Sequence, residues 1–69
     1  MVEVFKTNVI EVDEARQVVH ELLMHFPEAK INFDLEDCDK ILRVENSRID
    51  VEKTVTVVNV IGYQCEVLG

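Results

Sequence analysis

The stretch Lys30–Asn46, KINFDLEDCDKILRVEN, decides how the rest of the chain is read. Ile31, Phe33 and Leu35 alternate with polar residues before its centre, and Leu42 and Val44 do so after it, with the polar run Glu36–Lys40 between. Alternation on both sides of a polar turn is the pattern of a β-hairpin with one buried face. Placing Cys38 and Asp39 at the turn pairs Leu35 with Leu42 and Phe33 with Val44 on the buried face. On the wet face the same register sets Asp34 opposite Arg43, an opposite-charge pair of the kind that favours one alignment over others.

Outward from the hairpin, Asp13 is placed to cap a helix that starts at Glu14, since a carboxylate can accept from free backbone N–H groups there. Ala15, Val18, Val19, Leu22, Leu23 and Phe26 recur at three- and four-residue intervals and form an apolar stripe, with Arg16, Gln17, Glu21 and Met24 opposite. Pro27 disfavours helical geometry at Phe26 and ends the helix. Before it, Val2–Val9 is rich in β-branched residues and free of Gly and Pro, which predicts a first strand. Its alternation is imperfect, with Val2 and Val4 on one side and Phe5 and Thr7 on the other.

Beyond the hairpin, Val51–Ile61 (VEKTVTVVNVI) is ambiguous. Its many Val, Thr and Ile residues favour a strand by propensity. Asp50 as N-cap, the helical spacing of Val51, Val55, Val58 and Ile61, and Gly62 at a helix C-terminus favour a helix. Propensity differences amount to tenths of a kcal/mol per residue, whereas burying an apolar face stabilises by several, so the helix is preferred. Tyr63–Leu68 then alternates as a last strand. The order strand, helix, strand, strand, helix, strand predicts a single α+β domain over residues 1–69: a ferredoxin-like βαββαβ sandwich, with a four-stranded antiparallel sheet and two helices on one face. Right-handed crossovers put the first and third strands in its centre.

Composition narrows the function. The 69 residues hold 7 Lys and Arg against 14 Asp and Glu, a net charge of −7, and 48% are hydrophobic. The hydrophobic share suffices for a core in a domain near the lower size limit. The acidic balance argues against nucleic acid as a partner, because phosphate binding needs clustered basic charge. No apolar run is long enough to cross a bilayer and no leader pattern is present, so no membrane association and a cytoplasmic location are expected. Two cysteines in such a chain read as free thiols.

The helix stripe ending in Phe26-Pro27, the hairpin, and the closing Ile61-Gly62-Tyr63-Gln64-Cys65-Glu66-Val67 together resemble the heavy-metal-associated domains of small copper chaperones and metal-transporting ATPases, over nearly the whole length. The resemblance implies the fold. In that family a GMTCxxC loop before the first helix binds soft metal. Counted back from Pro27, its positions fall on Val9–Ala15, and the metal cysteines on Val12 and Ala15. Neither is a thiolate, so the chemistry that prefers Cu(I) or Zn(II) is absent from its usual place.

Cys38 and Cys65 are the remaining metal candidates. The predicted topology brings them to the same end of the sheet but toward opposite edges, more than two strand spacings of ~4.8 Å apart. A shared metal at ~2.3 Å from each sulfur, or a disulfide, is then disfavoured. A carrier with ligands shared across a dimer is the alternative. The acidic run Asp34, Glu36, Asp37 and Asp39 lacks the glycine and ligand spacing of a calcium loop and reads as a solvated turn with negative potential. His20 and His25 diverge by about 140° on the helix and cannot chelate together. Ser47 and Tyr63 have no base beside them in sequence. Lys6–Asp13 offers neither Arg nor Gly to cradle phosphate as acylphosphatases do, and Ile41–Val44 lacks the aromatic platform of RNA-recognition modules.

The expectation is therefore a non-enzymatic domain without a cofactor. It would act through an unidentified protein partner or by self-association, at the end formed by Asn8–Asp13, Asp37, Cys38, Asp39 and Tyr63–Cys65. The uncovered sheet face should carry Asn32, Asp34, Glu36, Ile41, Arg43 and Glu45. The edge strand Ile31–Glu36 is a second place where another chain could pair.

Overall fold

The computed structural model describes residues 1–68. Its elements are β1 (Val2–Thr7), α1 (Val12–His25), β2 (Lys30–Asp34), β3 (Ile41–Glu45), α2 (Val51–Ile61) and β4 (Cys65–Val67). All strand pairs are antiparallel and the sheet order is β2-β3-β1-β4. This is the expected ferredoxin-like arrangement, with β1 and β3 central and β2 and the short β4 at the edges.

Alternation explains which face is covered. Phe5 and Thr7 of β1 and Leu42 and Val44 of β3 are buried, and they join Val9, Ala15, Val18, Leu22, Ala29, Val57 and Val58 in one core. Val2 is exposed, as are Lys6, Asn32, Asp34, Arg43 and Glu45, so the opposite sheet face is largely polar. Of the predicted α1 stripe, Ala15, Val18 and Leu22 are buried, Val19 and Phe26 are half-buried, and Leu23 is exposed. A single sheet can cover only part of so wide a stripe, which leaves Leu23 at its margin.

The helix reading of Val51–Ile61 holds. Asp50 accepts the Lys53 N–H at 3.0 Å, and Gly62 adopts φ 118° as the C-cap, its own N–H returning to Asn59 O. Thr54 occupies the core at 1% exposure because its hydroxyl donates to Asp50 O at 2.8 Å. That bond satisfies the polar atom within its own helix and leaves the methyl group to pack. Lys53 places its ammonium 5.4 Å from the Phe26 ring centroid, linking the start of α2 to the end of α1.

Three local expectations are corrected. The hairpin register differs by two residues: Phe33 faces Leu42, Ile31 faces Val44 and Asn32 faces Arg43, so the Asp34–Arg43 pair does not form. An even shift keeps every side chain on its face, and alternation therefore cannot distinguish the two registers. The loop Leu35–Lys40 replaces the tight Cys38-Asp39 turn because local hydrogen bonds hold it. Asp34 Oδ1 accepts from the Glu36 and Asp37 N–H groups, Asp37 Oδ1 accepts from Asp39, and Lys40 takes φ 48°. Secondly, α1 begins at Val12 with Glu11 as N-cap, and Glu14, at the third helical position, accepts from the Glu11 N–H at 3.0 Å. Glu14 reaching back in this way starts the helix two residues before the site that Asp13 would cap. Thirdly, β4 is shorter than Tyr63–Leu68, since Tyr63 and Gln64 are held by side chains of α1 and of the β1–α1 loop instead of by a strand.

Candidate interaction surfaces

One end of the sandwich gathers three connections: β1 to α1, β2 to β3, and α2 to β4. Their backbones are tied together. Thr7 at the end of β1 donates its N–H to Asp39 O (3.1 Å) and its hydroxyl to Lys40 O (2.6 Å), and accepts the Val9 N–H (3.2 Å). Asn8 Oδ1 accepts the Gln64 N–H at 2.8 Å, and the Tyr63 hydroxyl donates to Glu14 Oε2 at 3.1 Å. A buried Thr7 thus joins the acidic hairpin loop to the sheet, while Asn8 and Glu14 anchor the α2–β4 connection.

The electrostatics follow from these contacts. The Glu11 N–H beside Glu14 holds its carboxyl below the ordinary value, against opposing desolvation, with the Tyr63 hydroxyl and the Ile10 N–H helping. Desolvation, and then the neighbouring Glu14 carboxylate, pushes the Tyr63 phenol up. Lys6 Nζ lies 3.8 Å from Asp39 Oδ1 with both side chains about half exposed, a pair worth little in stability. Glu11, Asp13, Glu36 and Asp37 remain exposed around it.

The proposed site residues therefore meet at this end, in different states. Asp37 and Cys38 are exposed, Asp39 is half-buried, and their ligand atoms lie within 4.8 Å of one another. Cys65 packs against the core, and burial pushes its thiol up to about 11. Cys38 and Cys65 are both free thiols. The hairpin loop reaches across β3 toward the strand beside Cys65: Asp39 bonds to Thr7, and Cys65 is paired with Thr7 in the sheet. The environments still differ, one thiol open to solvent and the other desolvated. Val12 and Ala15, where the resemblance places metal cysteines, are hydrocarbon side chains, one exposed and one buried. Among the described residues no helix is long and apolar enough to cross a membrane.

A second surface was only half anticipated. Between α1 and the free edge of β2 runs an open, mainly apolar groove of about 640 Å³, where Val12, Val19 and Leu23 face Ile31, Phe33 and Leu35. The edge strand was foreseen; the helix wall was not. Its signal was present in the sequence, because Val12, Val19 and Leu23 repeat at seven and four residues beside the deeper row Ala15, Val18 and Leu22.

Comparison with protein-family models, with curated proteins and with solved structures gives no significant match to this chain.

Proposed function

We propose that the chain is a non-enzymatic, metal-independent interaction domain, a divergent relative of heavy-metal-associated domains that lacks their thiolate pair. Its acidic loop end would receive a basic segment of a protein partner. The observation that supports this reading is the hydrogen-bonded union of the three connections at Thr7, Asn8 and Glu14, which holds a negatively charged surface in one shape. Preformed, complementary charge raises encounter rates and selects partners by sign.

The test is an NMR titration of the labelled domain with a lysine-rich peptide. Saturable shifts confined to Asn8–Asp13, Glu36–Lys40 and Gln64 are expected. They should be lost in the double variant Asp37→Asn/Asp39→Asn, whose amide oxygens preserve the loop's acceptors. They should be retained in Glu28→Gln/Glu52→Gln, which removes the same charge from the other end. Shifts spread over the whole surface, or equal losses in both variants, would remove the loop end from this role.

A second reading, a soft-metal carrier with ligands shared between two molecules, draws on the proximity of Asp37, Cys38 and Asp39. An anaerobic Cu(I) titration against a competing chelator separates the two. Tight binding that disappears in Cys38→Ser, with a doubled mass in its presence, would establish the carrier instead.

A further inference from the structure

The free edge of β2 matches itself. Met1 and Asn46 exchange hydrogen bonds in both directions, at 2.9 and 3.0 Å, and so form a hydrogen-bonded pair that continues the β1–β3 ladder. Because such pairs alternate along an antiparallel ladder, Asn46, Val44 and Leu42 direct their backbone groups toward β1, and Glu45, Arg43 and Ile41 direct theirs toward β2. In the β2–β3 register these last three face Lys30, Asn32 and Asp34. The backbone N–H and C=O groups of Ile31 and Phe33 are therefore the ones left on the open edge.

A second copy of this strand running antiparallel about Asn32 uses those groups. Ile31 then lies opposite Phe33 of the copy as a hydrogen-bonded pair, and Phe33 opposite Ile31. Lys30 falls opposite Asp34, twice, as non-hydrogen-bonded pairs, the arrangement in which side chains come closest. The sequence Lys-Ile-Asn-Phe-Asp is thus a charge and hydropathy match to its own reverse. Lys30 and Asp34 are exposed on the uncovered sheet face, while Ile31 and Phe33 lie half-buried on the helix face and border the apolar groove walled by Val12, Val19 and Leu23. One alignment therefore pairs the open backbone groups, sets opposite charges together and brings the two grooves side by side.

We propose that this edge is a homodimer interface: two copies join β2 to β2 about a two-fold axis at Asn32, giving a continuous eight-stranded sheet with the α1 helices flanking the axis. The contact is isologous and closed, so it ends at two copies, the opposite edge being the separate strand β4. It adjoins the loop end at Asp34, whose Oδ1 accepts from the Glu36 and Asp37 N–H groups, and does not depend on that surface's partner.

The test uses charge reversal and light scattering at physiological ionic strength. The native chain should show a concentration-dependent shift from monomer to dimer mass, with the amides of Ile31 and Phe33 exchanging more slowly as the dimer fills. Lys30→Asp places two acids opposite each other, and Asp34→Lys two bases, so each alone should remain monomeric. An equimolar mixture of the two variants should form a heterodimer, and the double variant Lys30→Asp/Asp34→Lys should regain the homodimer. Because Asp34→Lys also removes the acceptor of the Glu36 and Asp37 N–H groups, each variant is first checked for the native amide spectrum of β1 and β3. Folded variants that form neither the heterodimer nor the restored homodimer would overturn the proposal. A native chain that stays monomeric at millimolar concentration, with Ile31 and Phe33 exchange independent of concentration, would overturn the proposal. Dimers indifferent to both reversals would overturn it equally.

Discussion

At Cys65, burial against the core sets the thiol near pKa 11, so at pH 8 only about one molecule in a thousand carries the reactive thiolate there. Cys38 is exposed on the hairpin loop and meets no such barrier to access. An aromatic disulfide reagent at pH 8 should therefore label one thiol per chain rapidly. The second should react at least about a hundredfold more slowly and become equivalent only in denaturant. Cys38→Ser should abolish the fast phase; a fast phase that survives it would place the accessible thiol at Cys65. Stability carries the same signature. The unfolded chain holds Cys65 at its ordinary value of 9.0, so between about 9 and 11 the unfolded state gives up its proton first. The contribution is complete below pH 9 and is lost as the pH rises through 11. Cys65→Ala should flatten the onset of that decline, leaving the later loss above pH 10 that the raised Tyr63 phenol brings. Glu14 acts in the opposite direction. Its folded value is lowered, so its contribution is present above 4.5 and disappears as the pH falls through the lower folded value.

Gly62 shows how a single backbone position settles an element. Its φ of 118° lies in the left-handed region, and nothing stands within 4 Å of where a Cβ would be, so Gly62→Ala introduces backbone strain without a clash. A cost of about 1–2 kcal/mol is expected, read as a lower denaturation midpoint with an unchanged m-value. No change in midpoint would mean that α2 ends some other way. The same glycine, with Asp50, made α2 legible in a stretch whose β-branched composition favours a strand. Caps and spacing mark where a helix begins and ends, while propensity only biases its interior. The element order and the buried faces could be read from periodicity and caps, and the central position of β1 and β3 from the handedness of the crossovers. The hairpin register could not: alternation repeats every two residues, and the choice between the two alignments was made by the Asp34 and Asp37 side chains bonding into their own loop. The α1 start was missed for a similar reason, since the back-reaching Glu14 outweighs the simpler cap at Asp13. At the loop end, charge was visible in the sequence. The ties through Thr7, Asn8 and Glu14 were not, because they join residues up to 56 positions apart.

For the whole molecule, a net charge of −7 is spread over a chain whose Cα radius of gyration is only 10.5 Å. Among the described residues the single ion pair is Lys6–Asp39, at 3.8 Å and half exposed, so little attraction offsets the repulsion among 14 acidic side chains. Several of these carboxylates crowd one end, where Glu36, Asp37 and Asp39 follow one another closely and Glu11 and Asp13 flank the neighbouring helix start. The Debye length falls from about 30 Å at 0.01 M salt to about 8 Å at 0.15 M, which is from beyond the size of the molecule to well within it. Screening should therefore relieve the folded state more than the expanded unfolded chain, and the midpoint of thermal unfolding should rise with sodium chloride over that range. A relief of about 1 kcal/mol corresponds to a rise of roughly 4–8 °C for a domain of this size. Association through β2 would also respond to screening, so the scan belongs at two protein concentrations tenfold apart. An increase common to both reports repulsion within one chain, and any excess at the higher concentration reports the dimer. A midpoint that stays level or falls at both concentrations would mean that the acidic surface costs the fold nothing. In that case, the clustering of carboxylates at the loop end would involve no sacrifice of stability in favour of binding.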